Sequence, residues 1–323
     1  MIKAAIFILT QNNTERKVYL KTTLYFLFKN FNSIYKYPVI IFHEGDYDIK
    51  SQKEIIYGVR EECRHLITFK ELDKDDFTIP SHIDKEKMKK SIENAPVPYW
   101  RNDKYRLMCR WWSINVWKYA EEYEYIMRID DDSIIEEKIT EDLFDVVKTK
   151  EYVFISNFVH VDCGVCCYGF KDLLLSLYPA KKEQIDNSFI DSEIATGNEH
   201  FDKIKKIYEI VEGKPYDKDK FILPMPVMFY NNFFITEVAF WKRNDVRTLL
   251  DIIDKKGLIY YYRLGDAPIM TLISQLIGCS NKVSRIVFKY SKRLQREVFI
   301  DDKGNMNSFM PKKYTQSSCI TDR

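Results

Sequence analysis

Glycine is scarce in this 323-residue chain, with ten in all. None builds a G-x-G-x-x-G turn after a strand, and no G-x-x-x-x-G-K-[ST] occurs. Both glycine-rich routes to cradling a phosphate are therefore excluded. Charge of one sign is lacking too. A net charge of +2 gives no bulk attraction to nucleic acid or an acidic membrane. The seven cysteines are odd in number and follow no disulfide-framework spacing. No apolar run approaches the ~20 residues of a membrane span, and "MIKAAIFILTQNN" turns polar at Thr10 without a cleavage site. An EF-hand starting at Asp130 would need glycine at its sixth position, where Ile135 stands. Neither serine nor cysteine lies near a histidine in a nucleophile motif. The five histidines stop at His200.

What is present alternates. Apolar stretches of strand length lie at 4–9, 39–43, 66–69, 125–129 and 152–158. Helix-period segments fall between them at 14–31 and 103–122, the second with Tyr105, Met108, Trp112, Val116 and Tyr119 on one face and Asp103 as its N-cap. This pattern predicts an α/β fold with a mostly parallel central sheet flanked by helices. The polar stretch 78–103, with three prolines, reads as a lid or an edge excursion. "HVDCGVCC" (160–167) lacks paired C-x-x-C units and reads as a buried strand rather than a zinc site. One domain is expected over 1–303, followed by a polar, loosely held tail over 304–323.

The stretch "YIMRIDDDSII" (125–135) places three aspartates directly after an apolar strand. Parallel sheets bind ligands beyond the carboxyl ends of their strands. Two carboxylates one residue apart, Asp130 and Asp132, suit a ribose hydroxyl and a divalent cation that neutralises a departing diphosphate. Asp131 is expected to face away and to tolerate change.

Further stretches occur in order with it: "YPVIIFHEGDY" (37–47), "YRLMCRWWS" (105–113), "YNNFFITEVAFWK" (230–242) and "GLIYYYRLGDAPIMTLIS" (257–274). Over about residues 3–290 the chain resembles the fungal α-1,2-mannosyltransferase family. That resemblance implies a GT-A-type nucleotide-diphospho-sugar transferase fold. It also implies retaining transfer of mannose from GDP-mannose to a hydroxyl of a glycan or glycoprotein. The residues it points to are Tyr105, Arg110, Asp130 and Asp132 for the donor, Asp132 and Asp162 for a metal, and Asp266 and Glu237 for catalysis. Asp266 also reads as the N-cap of a helix. The metal would be Mn2+, bound weakly or only with nucleotide. Of the tryptophan-rich "YWRNDKYRLMCRWW", Arg101, Arg106 and Arg110 are candidates for donor phosphates, Trp100 for sugar stacking, and the tryptophans on the helix for core.

Two departures from the family pattern bear on mechanism. Phe234 stands where the resemblance expects a catalytic glutamate. No histidine follows "GDAP", and Lys289, Lys292 and Arg293 stand instead where the metal-binding one would fall. The rival expectations are a degenerate nucleotide-sugar or glycan-binding protein of the same fold, or a transferase using another nucleotide hexose. Met1 just before the first strand reads as a native start, without a membrane anchor. The expectation is a cytoplasmic enzyme, and a composition rich in Lys, Ile, Asn, Tyr and Phe suits an AT-rich microbe or large DNA virus.

Overall fold

The apolar stretches become strands, and their order sets up the site. In chain order the strands are β1 (Ala4–Leu9), β2 (Val39–His43), β3 (Ile67–Glu71), β4 (Tyr125–Ile129), β5 (Ser133–Ile135), β6 (Phe154–Ser156) and β7 (Val159–Val161). After these come β8 (Phe189–Ala195), β9 (Lys220–Phe229), β10 (Phe233–Glu237), β11 (Val283–Arg285) and β12 (Tyr290–Lys292). The computed structural model describes residues 2–97, 100–293, 297–300 and 306–309.

A seven-stranded sheet runs β11-β6-β10-β4-β1-β2-β3. Its neighbours are parallel except around β10, which is antiparallel to both β4 and β6. The register pairs Phe233 with Ile129 and Glu237 with Tyr125. The start of β10 therefore lies beside the carboxyl end of β4, and Glu237 lies at the opposite end of the sheet. Alternation along β1 sends Ile6 and Ile8 to one core and Ala5 and Phe7 to the other. The first core packs under the Thr14–Leu27 helix through Leu20, Leu24 and Leu27; the second packs under Trp111 and Trp112.

Local structure follows capping chemistry. Asn13 caps Thr14–Leu27 by accepting from the Arg16 amide at 2.9 Å. The helix passes into a wider turn over Phe28–Asn32 instead of running regularly to 31. The expected helix over 103–122 is regular only over Asp103–Arg110, and wider and tighter turns continue it to Lys118. Its cap is Asn102, which accepts from the Tyr105 amide at 3.1 Å, and not Asp103.

The 78–103 connection carries a helix, Lys85–Glu93, with Met88 and Ser91 buried. Ser91 donates to the Tyr261 carbonyl at 2.5 Å, so this segment is fastened to the body. "HVDCGVCC" is not one buried strand. Its first residues belong to the exposed strand β7, and Cys166 and Cys167 are buried in the turn that follows. At the other end of the chain, Glu297–Ile300 pairs antiparallel with Met306–Phe309, and the expected 303/304 boundary lies outside the described residues. The remainder of the expected tail lies outside the described residues. Among the described residues no helix is long and apolar enough to cross a membrane.

Candidate functional site

Two neighbouring cavities open at the carboxyl ends of β1 and β4, where a parallel sheet offers loops rather than ladder bonds. One, of about 320 Å³, is lined by the end of β1, Arg16, Tyr105, Trp112 and the acidic turn. The larger, of about 620 Å³, is lined by Asp162, Tyr230, Arg263, Asp266 and Lys292. Tyr105, Met108, Arg128 and Asp130 belong to both.

Arg128, the penultimate residue of β4, organises the shared wall. Its side chain is buried over the Trp112 ring, with the guanidinium carbon 4.2 Å from the centroid. Nε donates to Asp130 at 2.8 Å and Nη1 to Asp266 at 2.5 Å. Burial alone would lower its pKa, but the two carboxylates outweigh burial and hold it above the ordinary value. Asp130 answers in kind. Burial pushes its pKa up, yet Arg128 and Lys292 win and hold it below the usual carboxylate range.

Asp266 is the first residue of the Asp266–Leu276 helix, and Gly265 is its N-cap. The carboxylate makes no capping hydrogen bond. It accepts from Arg128 and, at 3.2 Å, from Asn231 Nδ2. The capping role expected for Asp266 is thus replaced by a buried charge pair facing the larger cavity.

The three aspartates divide. Asp131 is 1% exposed and accepts from Thr10 Oγ1 at 2.7 Å and Arg16 Nε at 2.8 Å. It does not hang free, as the expectation of tolerance required. Asp130 and Asp132 instead flank Lys292, whose ammonium lies 3.5 Å and 3.2 Å from them. Arg16 also stands 3.5 Å from Asp132. Lys292 is held there by β12, which pairs antiparallel with β5 so that Lys292 faces Ser133.

Tyr105 and Asp162 meet through Arg263, which donates to the tyrosine hydroxyl at 3.3 Å and to the Asp162 carboxylate at 3.4 Å. Arg263 has φ of 63°, a strained conformation for a side chain of its size, which the surrounding contacts hold in place.

Of the expected site residues, Glu237, Arg110, Arg106 and Trp100 line neither cavity. Glu237 is removed by register: four residues along a strand is about 13 Å, and it sits at the far end of β10. Arg110 forms a two-pronged pair with Asp254, both contacts 2.9 Å, and lines neither cavity. Arg106 is buried and donates to the carbonyls of Trp100, Arg101, Asn102 and Tyr260. Its pKa is lowered to about 10 by burial. Trp100 is likewise buried and structural, whereas Arg101 lines the larger cavity. Phe234 is fully buried against Trp112 and Phe154, directly across the ladder from Arg128. Arg128, Asn231 and Arg263 were not singled out from the sequence. The available signals were a charged residue inside an apolar strand and an arginine just before "GDAP".

The donor set does not fit a divalent cation. Asp130 and Asp132 already face an ammonium, and Asp162 pairs with Arg263. Among the described residues no three His, Cys, Asp or Glu side chains gather as a site built from protein alone would need.

This geometry has relatives. The chain is 24% identical over 281 residues to the O-glycoside alpha-1,2-mannosyltransferase omh1 of Schizosaccharomyces pombe, covering 85% of this chain and 65% of that protein. It is 27% identical to the probable mannosyltransferase KTR3 of Saccharomyces cerevisiae over 63% of this chain and 46% of the relative. The chain thus spans about half to two thirds of the length of these relatives. The structure of the mannosyltransferase Ktr4p from S. cerevisiae in complex with GDP superposes with a TM-score of 0.70 at 17% identity, covering 90% of this chain and 71% of that one. Core-mannan synthase A from Aspergillus fumigatus, in a Mn/GDP form, gives 0.68 at 17% identity over 90% and 74%. At such identity the likeness shows the fold alone, and that fold is of the GT-A type. A family model described as glycolipid 2-alpha-mannosyltransferase matches residues 1–288, and the chain belongs to that family.

Proposed function

We propose that this chain transfers mannose from GDP-mannose to a hydroxyl of a glycan or glycoprotein, with retention at the anomeric carbon. The observation that carries the reading is the pairing of a fixed carboxylate, Asp266, with a basic wall of Arg263, Lys292 and Arg293 in one cavity at the carboxyl edge of the sheet. The smaller cavity, beside Tyr105 and the end of β1, suits the nucleoside.

In the transfer, the bond between the anomeric carbon and the diphosphate oxygen breaks, and its electron pair leaves with the diphosphate. The acceptor oxygen bonds to the same carbon on the same face, and the hydroxyl proton goes to a departing phosphate oxygen. The basic wall offsets the charge that develops on the diphosphate. Asp266, kept in place by Arg128 and Asn231, offers negative charge to the sugar's oxocarbenium character. No step is routed through a metal, because the carboxylates that would hold one are already paired.

Phe234 favours a second reading, a nucleotide-sugar-binding protein without turnover, since it brings no carboxylate to the position where the resemblance expects one. A thermal-shift screen of GDP-, UDP- and other nucleotide sugars, followed by a donor-consumption assay, separates the readings. Stabilisation by GDP-mannose with release of GDP supports transfer. Stabilisation without release supports the binding protein, and stabilisation only by a UDP-hexose changes the donor.

A further inference from the structure

Lys292 brings a positive charge to the acidic turn at the wall of the larger cavity. Its ammonium lies 3.2 Å from Asp132 Oδ1 and 3.5 Å from Asp130 Oδ2, and 5.7 Å from the centre of the Tyr230 ring. The backbone fixes the position. β12 and β5 pair in the register Tyr290–Ile135, Ser291–Ile134 and Lys292–Ser133. The Arg293 amide continues this by donating to the Asp132 carbonyl at 2.8 Å, and the Tyr290 hydroxyl donates to Ser133 Oγ at 2.6 Å. The strand that carries the cation is thus laced to the turn that carries the acids.

Asp132 Oδ1 is buried and has no hydrogen bond, although the ammonium is close. The lysine therefore meets that carboxylate as a point charge. It lines the larger cavity, together with Arg263 and Arg293.

Resting on the nucleotide-sugar reading above, we propose that Lys292 takes the place of a divalent cation. Its ammonium bridges Asp130 and Asp132 on one side and contacts the donor diphosphate on the other, so donor binding needs no metal. The pairing of the two carboxylates is what makes the difference. A metal ion would have to displace Lys292 from both before it could bind. Removal of the lysine side chain releases one oxygen of each carboxylate, Asp130 Oδ2 and Asp132 Oδ1, while the others stay with Arg128 and Arg16. The substitution should therefore create a metal dependence at those two oxygens.

The test is calorimetric titration of GDP into the full chain, in EDTA and in millimolar MnCl2, for the native protein and for Lys292→Met. The native affinity should agree between the two conditions within about two-fold. Lys292→Met should lose about ten-fold or more in EDTA and regain most of it in MnCl2. Circular dichroism of the variant checks that it is folded. Native binding of GDP that disappears in EDTA overturns the proposal, as does a Lys292→Met variant that binds GDP in EDTA as tightly as the native chain. Absence of GDP binding by the native chain under both conditions overturns the GDP-mannose reading itself, and this proposal with it.

Discussion

The two ends of the central sheet differ more in their pairing of charge than in their burial. At the carboxyl end of β4, Arg128 is shared by Asp130 and Asp266, and Lys292 by Asp130 and Asp132. At the other end, Glu237 is half-buried at the close of β10, with no carboxylate or cation in ion-pair contact among the described residues. Burial raises its pKa, and the more distant Arg243 and Lys282 only moderate the rise. Four residues of one strand therefore separate a place where charge is fixed for use from one where a carboxylate is merely tolerated. Ionised groups that are buried, paired and directed at a cavity point to chemistry, while a lone raised pKa does not.

The largest expected effect sharpens that contrast. Asp266→Asn keeps the shape but weakens the pair with Arg128. Steady-state donor consumption should fall about a hundred- to a thousand-fold with GDP affinity largely kept. Next comes Asp131→Asn. The buried charge on which Thr10 and Arg16 converge is lost, so urea unfolding should show a loss of about 2 kcal/mol, the worth of a charge-assisted hydrogen bond. A silent substitution would mean the buried pair does not form in solution.

Arg110→Lys should be milder. The two-pronged contact with Asp254 becomes a single one, costing about 1 kcal/mol of stability, and GDP titration should show unchanged affinity. The smallest effect belongs to Glu237→Gln. A carboxyl whose folded pKa is raised favours the fold most below its unfolded value, and that contribution is lost as pH rises through the folded pKa. The glutamine variant should lose this part of the pH dependence of the melting temperature and turn over donor at the native rate. A drop in turnover would bring Glu237 back into the site and break the comparison.

Much of the framework was legible because its signals are local. Continuous apolar runs gave β1, β2 and β4, and the acidic turn announced a ligand end. What could not be read were pairings across the chain. Asp131 finds Arg16, 115 residues away, and Arg110 finds Asp254, 144 residues away. A guanidinium fork looks the same in sequence whether it meets a phosphate or a carboxylate. Glu237 was drawn into the site by nearness to Phe234 in sequence, and the antiparallel register of β10 sent it the other way. The basic run at 289–293 was visible, but only β12 pairing with β5 shows which acids Lys292 meets.

The central claim is that a nucleotide sugar binds across the carboxyl edge of β4, against the acidic turn and β12. Hydrogen–deuterium exchange with and without GDP tests this most directly. The amides of Asp130, Ser133 and Arg293 are bonded to Asn232, Asp130 and Asp132 respectively, and so report on that edge. GDP should slow exchange over residues 128–133 and 289–293 and leave 237–241 unchanged. Protection confined to the Glu237 end, or none at the acidic turn despite measurable GDP binding, would contradict the account.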